Sequence, residues 1–253
     1  MVYRGWPTIG AHVWSPFIIK LEARLRFSSI TYTTESGSPT KAPKGKIPYV
    51  KYRDQSNHTT TLGDSTLIIN QLTHSGTLLD LNAPLSPEKK AVDLALRALL
   101  EDKLYFYHTW ERWTKNYYVM RDHILSAIPY PIRILVGLLV YRKVVQTLYG
   151  QGTGRYSADE IRTFRLEIWE NVNALLVCSK SASPEGSRAA FWIFGGAGPS
   201  EADAVVFGFV VSVLVCTASP ESREVVRGFP VLVEYAERIH ENFFPDYEKW
   251  EEI

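Results

Sequence analysis

Two junctions in the first 72 residues carry the side chains best placed to do chemistry. The stretch KGKIPYVKYRDQSNHTTTLGDSTLIINQL at 44–72 reads as a strand entered through the Ile47-Pro48 bond, a second short strand, and a helix opened by Gly63-Asp64-Ser65. Proline has no amide proton to give to a strand ladder. At a strand entrance it leaves the preceding residue able to show its N–H and C=O to something other than the sheet. The Gly-Asp-Ser start brings a hydroxyl, free backbone N–H groups and the positive end of a helix dipole, a set suited to a small carboxylate. About fifteen residues separate the two features, which suggests a groove for an extended, peptide-like ligand. The second junction is Trp14-Ser15-Pro16-Phe17, where an apolar run meets a helix start. A hydroxyl there can donate to an anion that the dipole also stabilises. Each feature has a plainer reading as well. Ser15 before Pro16 is an ordinary N-cap with Pro at N1, Pro48 can open an edge strand in trans, and Asp64-Ser65 can cap a helix and do nothing else.

Further along, Tyr105, Tyr107, Trp110, Trp113, Tyr117 and Tyr118 crowd one segment. Aromatics at this density usually pack cores. Tyr107, Trp110 and Tyr117 stand at spacings of three and seven, so on a regular helix they share a face and could wall an apolar substrate pocket, with Trp14 and Phe17 approaching from the second junction. Lys44 and Lys46 could offset ligand charge, although loop lysines are commonly just solvated. The six histidines show no ligand spacing, so no metal site is expected. Cys178 and Cys216 form no CxxC and lie beside apolar residues, which reads as two buried free thiols in a reducing compartment.

The elements that position these groups follow from pattern. Residues 8–14 (TIGAHVW) read as a short apolar strand and Ser15-Pro16 as the start of a helix with Ile18, Leu21 and Leu25 on its inner side. Residues 30–34 (ITYTT) read as a strand, 35–46 as loop, 47–52 and 59–62 as strands, and 65–74 as a helix. After NAPLSP at 82–87 the pattern becomes helical throughout. A long helix is expected over 87–123, with Ala91, Leu94, Ala95, Ala98, Leu99 and Leu104 inside. Others follow at 131–149, stopped by GQGTG, at 158–177 behind the capping box Ser157-x-x-Glu160, at 201–217 behind Ser200-x-x-Asp203, and at 230–242. The polar stretch SKSASPEGSR at 179–188 reads as loop. The division expected is an α/β domain over 1–80, a linker at 81–87 and an all-helical domain over 88–253.

Composition bounds the partners. Of 253 residues 45% are hydrophobic and 13% aromatic, enough for a well-filled core without disulfides. The balance of 28 basic against 27 acidic side chains argues against nucleic acid or an anionic membrane as the main partner. The longest apolar tract, ADAVVFGFVVSVLVC at 202–216, falls short of the ~20 residues that cross a bilayer and reads as a buried core helix. Residues 1–15 hold Arg4, Gly5, Pro7 and His12 without the apolar run of a secretory leader. The expectation is a soluble, cytoplasmic protein with no transmembrane segment.

The order β-α-β-loop-β-β-α with Ile47-Pro48 and Gly63-Asp64-Ser65 resembles the glutathione-binding half of a glutathione transferase, a thioredoxin-like domain followed by an all-helical C-terminal domain. The blocks SPFIIKLEARLRF at 15–27, LYGQGTGRYSADEI at 148–161, FGGAGPSEADAVVFGFV at 194–210 and FPVLVEYAERIHENFFPDY at 229–247 resemble the failed-axon-connections and metaxin-like branch of that superfamily. The resemblance implies glutathione as cosubstrate. Its cysteinyl part would pair with the backbone of Ile47 beside a cis Pro48, its γ-glutamyl end would be held by Asp64 and Ser65, and its thiolate would be stabilised by Ser15. A hydrophobic small molecule is implied as second substrate, and a homodimer remains open. Members of the branch often carry cysteine where this chain has Ile18, so the chain departs from SPxC and has no dithiol. Three functions stay open on sequence: a glutathione-dependent conjugation, isomerisation or elimination; a non-catalytic binding protein on the same fold; and a glutathione-independent enzyme acting in the interdomain cleft.

Overall fold

The computed structural model describes residues 1–53, 57–181 and 188–250. A small mixed sheet with order β2-β1-β3-β4 carries the N-terminal domain. Strand β1 (Val2–Tyr3) pairs in parallel with β2 (Thr34–Glu35) and antiparallel with β3 (Tyr49–Arg53), which pairs antiparallel with β4 (Thr59–Gly63). Val2, Val50, Ile68, Ile69 and Leu72 close one core between the sheet and its helices. β3 and β4 lie where the pattern puts them, and β2 is shorter and shifted to the end of its predicted run.

The expected strand at 8–14 is absent. β1 lies upstream, and 8–14 runs as an irregular segment with a single bridge from Ala11 to Glu248. Three of its carbonyls accept from side chains instead of a ladder, and that of Gly10 accepts the Glu248 N–H at 2.7 Å. The Arg4 guanidinium donates to Thr8 and Ala11 at 2.8 and 2.6 Å, while Arg112 and the Ser212 hydroxyl donate to the Trp14 carbonyl at 2.9 and 2.6 Å. Val13 and Trp14 are buried all the same, so the apolar signal was real and only its backbone geometry differs.

Helix α1 (Pro16–Phe27) begins with Ser15 at N-cap and Pro at N1, and Ile18, Leu21 and Leu25 are buried as predicted. Lys20, Glu22 and Arg24 are buried too, because α8 (Glu201–Val215) closes over the other side. Gly208 permits that approach: a Cβ there would stand 2.6 Å from the Pro16 carbonyl oxygen and 3.0 Å from the Lys20 nitrogen. α8 is buried along almost its whole length and opens with the expected capping box of Ser200 and Asp203.

Helix α2 (Ser65–His74) precedes α3 (Pro87–Leu99), which continues through a π-helical turn at Leu100–Leu104 into α4 (Tyr105–Trp110) and through a second at Glu111–Lys115 towards α5 (Tyr117–Ile124). The predicted inner face of α3 is a correction. Ala91, Leu94, Ala95, Ala98 and Leu99 are exposed, and the buried side carries Asp93, Leu96 and Leu100, with Leu104 on the following turn. Asp93 is the reason. Its carboxylate accepts the Ala202 N–H at 2.7 Å and the Asn82 amide and Arg97 Nε at 2.8 Å each, tying α3 to the start of α8. A reading by hydrophobicity turns that carboxylate outward and rotates the helix with it. α6 (Tyr130–Gln151) stops at Gly152, whose φ is 110°, and α7 (Ala158–Ser181) opens with the reciprocal Ser157–Glu160 bonds. α9 (Pro220–Arg227), which the pattern did not separate, precedes α10 (Pro230–Phe243). Cys216 is buried, whereas Cys178 lies on the outer side of α7 and is exposed, against expectation. Of the predicted loop at 179–188, Ser179–Ser181 belong to α7 and 182–187 lie outside the described residues. No single helix among the described residues is long and apolar enough to cross a membrane.

Candidate functional site

The start of α1, the Ile47-Pro48 bond, the start of α2 and the first π turn meet around a cleft of about 460 Å³, within the usual range for small-molecule sites. The N-terminal domain contributes Ser15, Phe17, Lys46, Ile47, Pro48, Asp64, Ser65 and Thr66, and the helical domain contributes Glu101, Asp102, Tyr105 and Phe106.

The Ile47-Pro48 peptide is cis. β3 begins only at Tyr49, and the backbone N–H and C=O of Ile47 have no hydrogen-bond partner among the described residues. The Pro48 carbonyl accepts the Asp64 N–H at 3.3 Å, which fastens the two ligand-facing turns to each other. Asp64 has φ 77°, a left-handed conformation that Asp and Asn tolerate better than most residues. Its Oδ1 accepts from the Thr66 and Leu67 N–H groups at 3.0 and 3.1 Å. Asp64 is therefore a true N-cap, and its second carboxylate oxygen remains for the cleft. Ser65 follows at the first helical position, nearly buried, with no partner for its hydroxyl among the described residues. The Ser15 hydroxyl likewise makes no side-chain cap bond and has no partner among the described residues. Two uncommitted hydroxyls, an uncommitted backbone pair and two helix N-termini thus share one opening.

One wall was not foreseen. Lys20, buried in α1, donates to Glu101 Oε1 at 2.5 Å and to the Thr66 hydroxyl at 2.7 Å, and that hydroxyl lies 3.4 Å from Glu101 Oε2. The network holds Glu101 at the cleft and ties both helices of the N-terminal domain to the helical domain. A lysine inside the apolar stripe of α1 was its only trace in the sequence. Lys46 is the cation lining the cleft, against the carboxylates of Asp64, Glu101 and Asp102. This mixture suits a ligand that bears both an ammonium and carboxylates.

The apolar wall also differs from expectation. Phe17 lines the cleft, with its ring 5.0 Å from that of Tyr105. Tyr107, Trp110, Tyr117 and Trp14 do not line it. Tyr107 is buried against Phe164, Trp110 packs on the central core, Tyr117 packs on α6 beside Tyr141, and Trp14 stacks on His123 with ring centroids 3.5 Å apart. The spacing argument assumed 3.6 residues per turn throughout. The π turns at Leu100–Leu104 and Glu111–Lys115 change the helical phase, so Tyr105 and Phe106 face the cleft instead. Among the described residues no three His, Cys, Asp or Glu side chains group as a metal site.

The sequence profile described as "Glutathione S-transferase N-terminal domain" matches residues 16–120, and the one described as "Glutathione S-transferase, C-terminal domain" matches residues 189–239. Among solved structures, glutathione transferase GSTFuA3 from Phanerochaete chrysosporium aligns with a TM-score of 0.57 at 14% identity, covering 98% of this chain and 96% of that one. GSTFuA2 from the same organism aligns at 0.54 and 14% identity, covering 91% of each chain. Glutathione S-transferase III in its apo form aligns at 0.50 and 15% identity, covering 94% of this chain and 90% of that one. At such identities the structural likeness speaks for the fold, while the two profiles between them span more than half of the sequence. The chain belongs to the glutathione-transferase superfamily.

Proposed function

We propose that the protein uses glutathione on a hydrophobic, electrophilic small molecule, by conjugation or by glutathione-assisted isomerisation or elimination. The observation that carries this reading is the unpaired backbone of Ile47 beside cis Pro48, set in one cleft with the unpaired hydroxyls of Ser15 and Ser65. The Ile47 N–H and C=O would pair with the cysteinyl unit. Ser65 and the α2 amides would take the γ-glutamyl carboxylate, and Asp64 and Glu101 its ammonium. Ser15 and the N-terminus of α1 would stabilise the thiolate, lowering its pKa and raising the population of nucleophile. In conjugation the sulfur lone pair forms a C–S bond to the electrophilic carbon, the thiol proton passes to solvent, and any leaving group departs with its electron pair. In isomerisation the same bond forms and then breaks. Phe17, Tyr105 and Phe106 form the apolar wall for the second substrate.

The departure at Ile18 weighs less than the sequence suggests. Ile18 is fully buried in α1, so a side chain at this position belongs to the core, and the residue at the cleft is Ser15. The four sequence blocks support assignment to the failed-axon-connections and metaxin-like branch, the composition break at NAPLSP supports domain limits of 1–80 and 88–253, and a cytoplasmic setting is part of the same reading. The apolar outer face of α3 suits a homodimer. The functional test is calorimetric titration with glutathione, followed by a thiol-conjugation assay with an aromatic electrophile. Binding with turnover supports the reading, binding without turnover favours a non-catalytic protein, and no binding at millimolar glutathione rejects it in favour of glutathione-independent chemistry.

A further inference from the structure

Helix α6 is apolar around most of its circumference between Ile132 and Tyr141, yet it is packed on one side only. Its inner side meets α5 at Gly137, where a Cβ would stand 2.8 Å from the Arg121 side chain and the Tyr117 hydroxyl. The opposite side exposes Ile132, Leu135, Leu138 and Leu139, with Leu135 and Leu139 each 65% accessible. Exposed Tyr130 and Tyr118 extend this surface, with the Arg121 guanidinium within 5.9 Å of both rings. A helix apolar all round is ordinarily covered all round, and a contiguous exposed patch of this kind marks an interaction surface.

Charge selects the occupant. Helix α6 carries Arg133, Arg142 and Lys143 and no acidic residue, and the neighbouring Asp122 is already engaged by Arg121 and Arg133 at 2.8 and 3.7 Å. Arg142 and Lys143 follow Leu138 and Leu139 by one turn on the same side, exposed and without an ion pair among the described residues. The near-neutral total of the whole chain thus conceals a basic region around an apolar stripe. A second copy of the chain seated across a two-fold axis would bring like charges together. An anionic, apolar surface complements both features at once.

We propose that the α5–α6 hairpin is a docking face for an anionic lipid bilayer. The leucines and tyrosines enter the headgroup boundary, and Arg142 and Lys143 reach lipid phosphates. The helix lies on the bilayer, since no single described helix is long and apolar enough to span it. This inference is independent of the glutathione reading. The test is co-sedimentation of the intact protein with phosphatidylcholine vesicles, with and without phosphatidylserine. Partition onto the serine-lipid vesicles, weakened by salt, is expected. Leu135→Glu should lower it by about tenfold or more through loss of an inserted apolar side chain and added repulsion. Arg142→Glu with Lys143→Glu should abolish the preference for anionic lipid. All three side chains are exposed, so the variants keep the fold, as a glutathione titration and thermal melt would verify. Absence of wild-type binding to the serine-lipid vesicles overturns the proposal. So does a wild-type dimer in sedimentation velocity that Leu135→Glu dissociates, which would assign the face to a second copy.

Discussion

Asp64 serves two purposes that a pair of substitutions can separate. Its Oδ1 caps α2 through Thr66 and Leu67, and its charge faces the cleft. Alanine removes the cap, which costs about 1 kcal/mol, and places a residue without a polar side chain at φ 77°, which costs about 1 kcal/mol more. The sum of roughly 2 kcal/mol corresponds to a melting point lower by about 4–8 °C for a chain of this size. Asparagine keeps an oxygen for the cap and tolerates the left-handed backbone, so Asp64→Asn should melt within about 2 °C of wild type. Both variants lose the carboxylate. If it bonds the γ-glutamyl ammonium, each should bind glutathione about 10- to 150-fold more weakly, the equivalent of ~1.5–3 kcal/mol for a hydrogen bond to a charged group. Differential scanning fluorimetry reads the first effect and calorimetric titration the second. Asn at position 64 with wild-type affinity would show that the carboxylate is only a cap. Ala at position 64 with a wild-type melting point would refute the capping argument.

Three further outcomes are expected. Ser15→Ala should raise the apparent pKa of bound glutathione and lower turnover near neutral pH by ~10²-fold or more, with affinity little changed; an unchanged pH–rate profile would leave Ser15 with only its place at the helix start. Gly208→Ala must part α8 from the backbone of Pro16 and Lys20, at a cost of about 1–3 kcal/mol, seen as a lower urea midpoint with weaker glutathione binding; a neutral effect on both would mean that the contact yields freely. Burial holds His12 and His240, 3.0 Å apart, below their ordinary value near 6.5, so the unfolded chain takes up more protons below that pH. The pair's own contribution to stability should then be present above about pH 6.5 and fall as the medium is acidified, and His12→Phe should flatten that part of the change in urea midpoints between pH 6.5 and 5, whereas parallel wild-type and variant curves would clear the pair of that role.

What could be read from the sequence, and what could not, divides by the range of the interactions involved. β3, β4, α1, α2 and the two capping boxes follow from local chemistry, namely proline, short polar caps and alternation, and they were legible. So was the meeting of Ser15, Ile47, Pro48, Asp64 and Ser65, because the order of elements brings their turns to one end of the sheet. The segment 8–14 was misread because three of its carbonyls accept from Arg4, Arg112 and Ser212, of which only Arg4 is near in sequence. The face of α3 was misread because Asp93, polar by type, is buried by bonds to Asn82, Arg97 and Ala202. The aromatic wall failed for a third reason. Nothing local marks LEDKL and ERWTK as π turns, and a change of phase there reassigns each aromatic that follows.

The misread helix also explains why the site should be treated as belonging to both domains. Ser15 and Ser65 lie in the N-terminal domain, but Lys20 bonds Thr66 and Glu101 together, and Gly208 of α8 touches the backbone on either side of the first turn of α1. The helix that presents Ser15 is therefore held from behind by α8 and from the side by the first π turn. The match of the N-terminal profile as far as residue 120, well past the linker, agrees with a unit that includes this wall. An opening set by helix-to-helix contacts across the two domains, with one network holding the α2 N-terminus and Glu101, couples the start of α1 to the wall of Glu101, Tyr105 and Phe106. The same contacts leave the α5–α6 hairpin at the far end of the long helix free to serve a different surface.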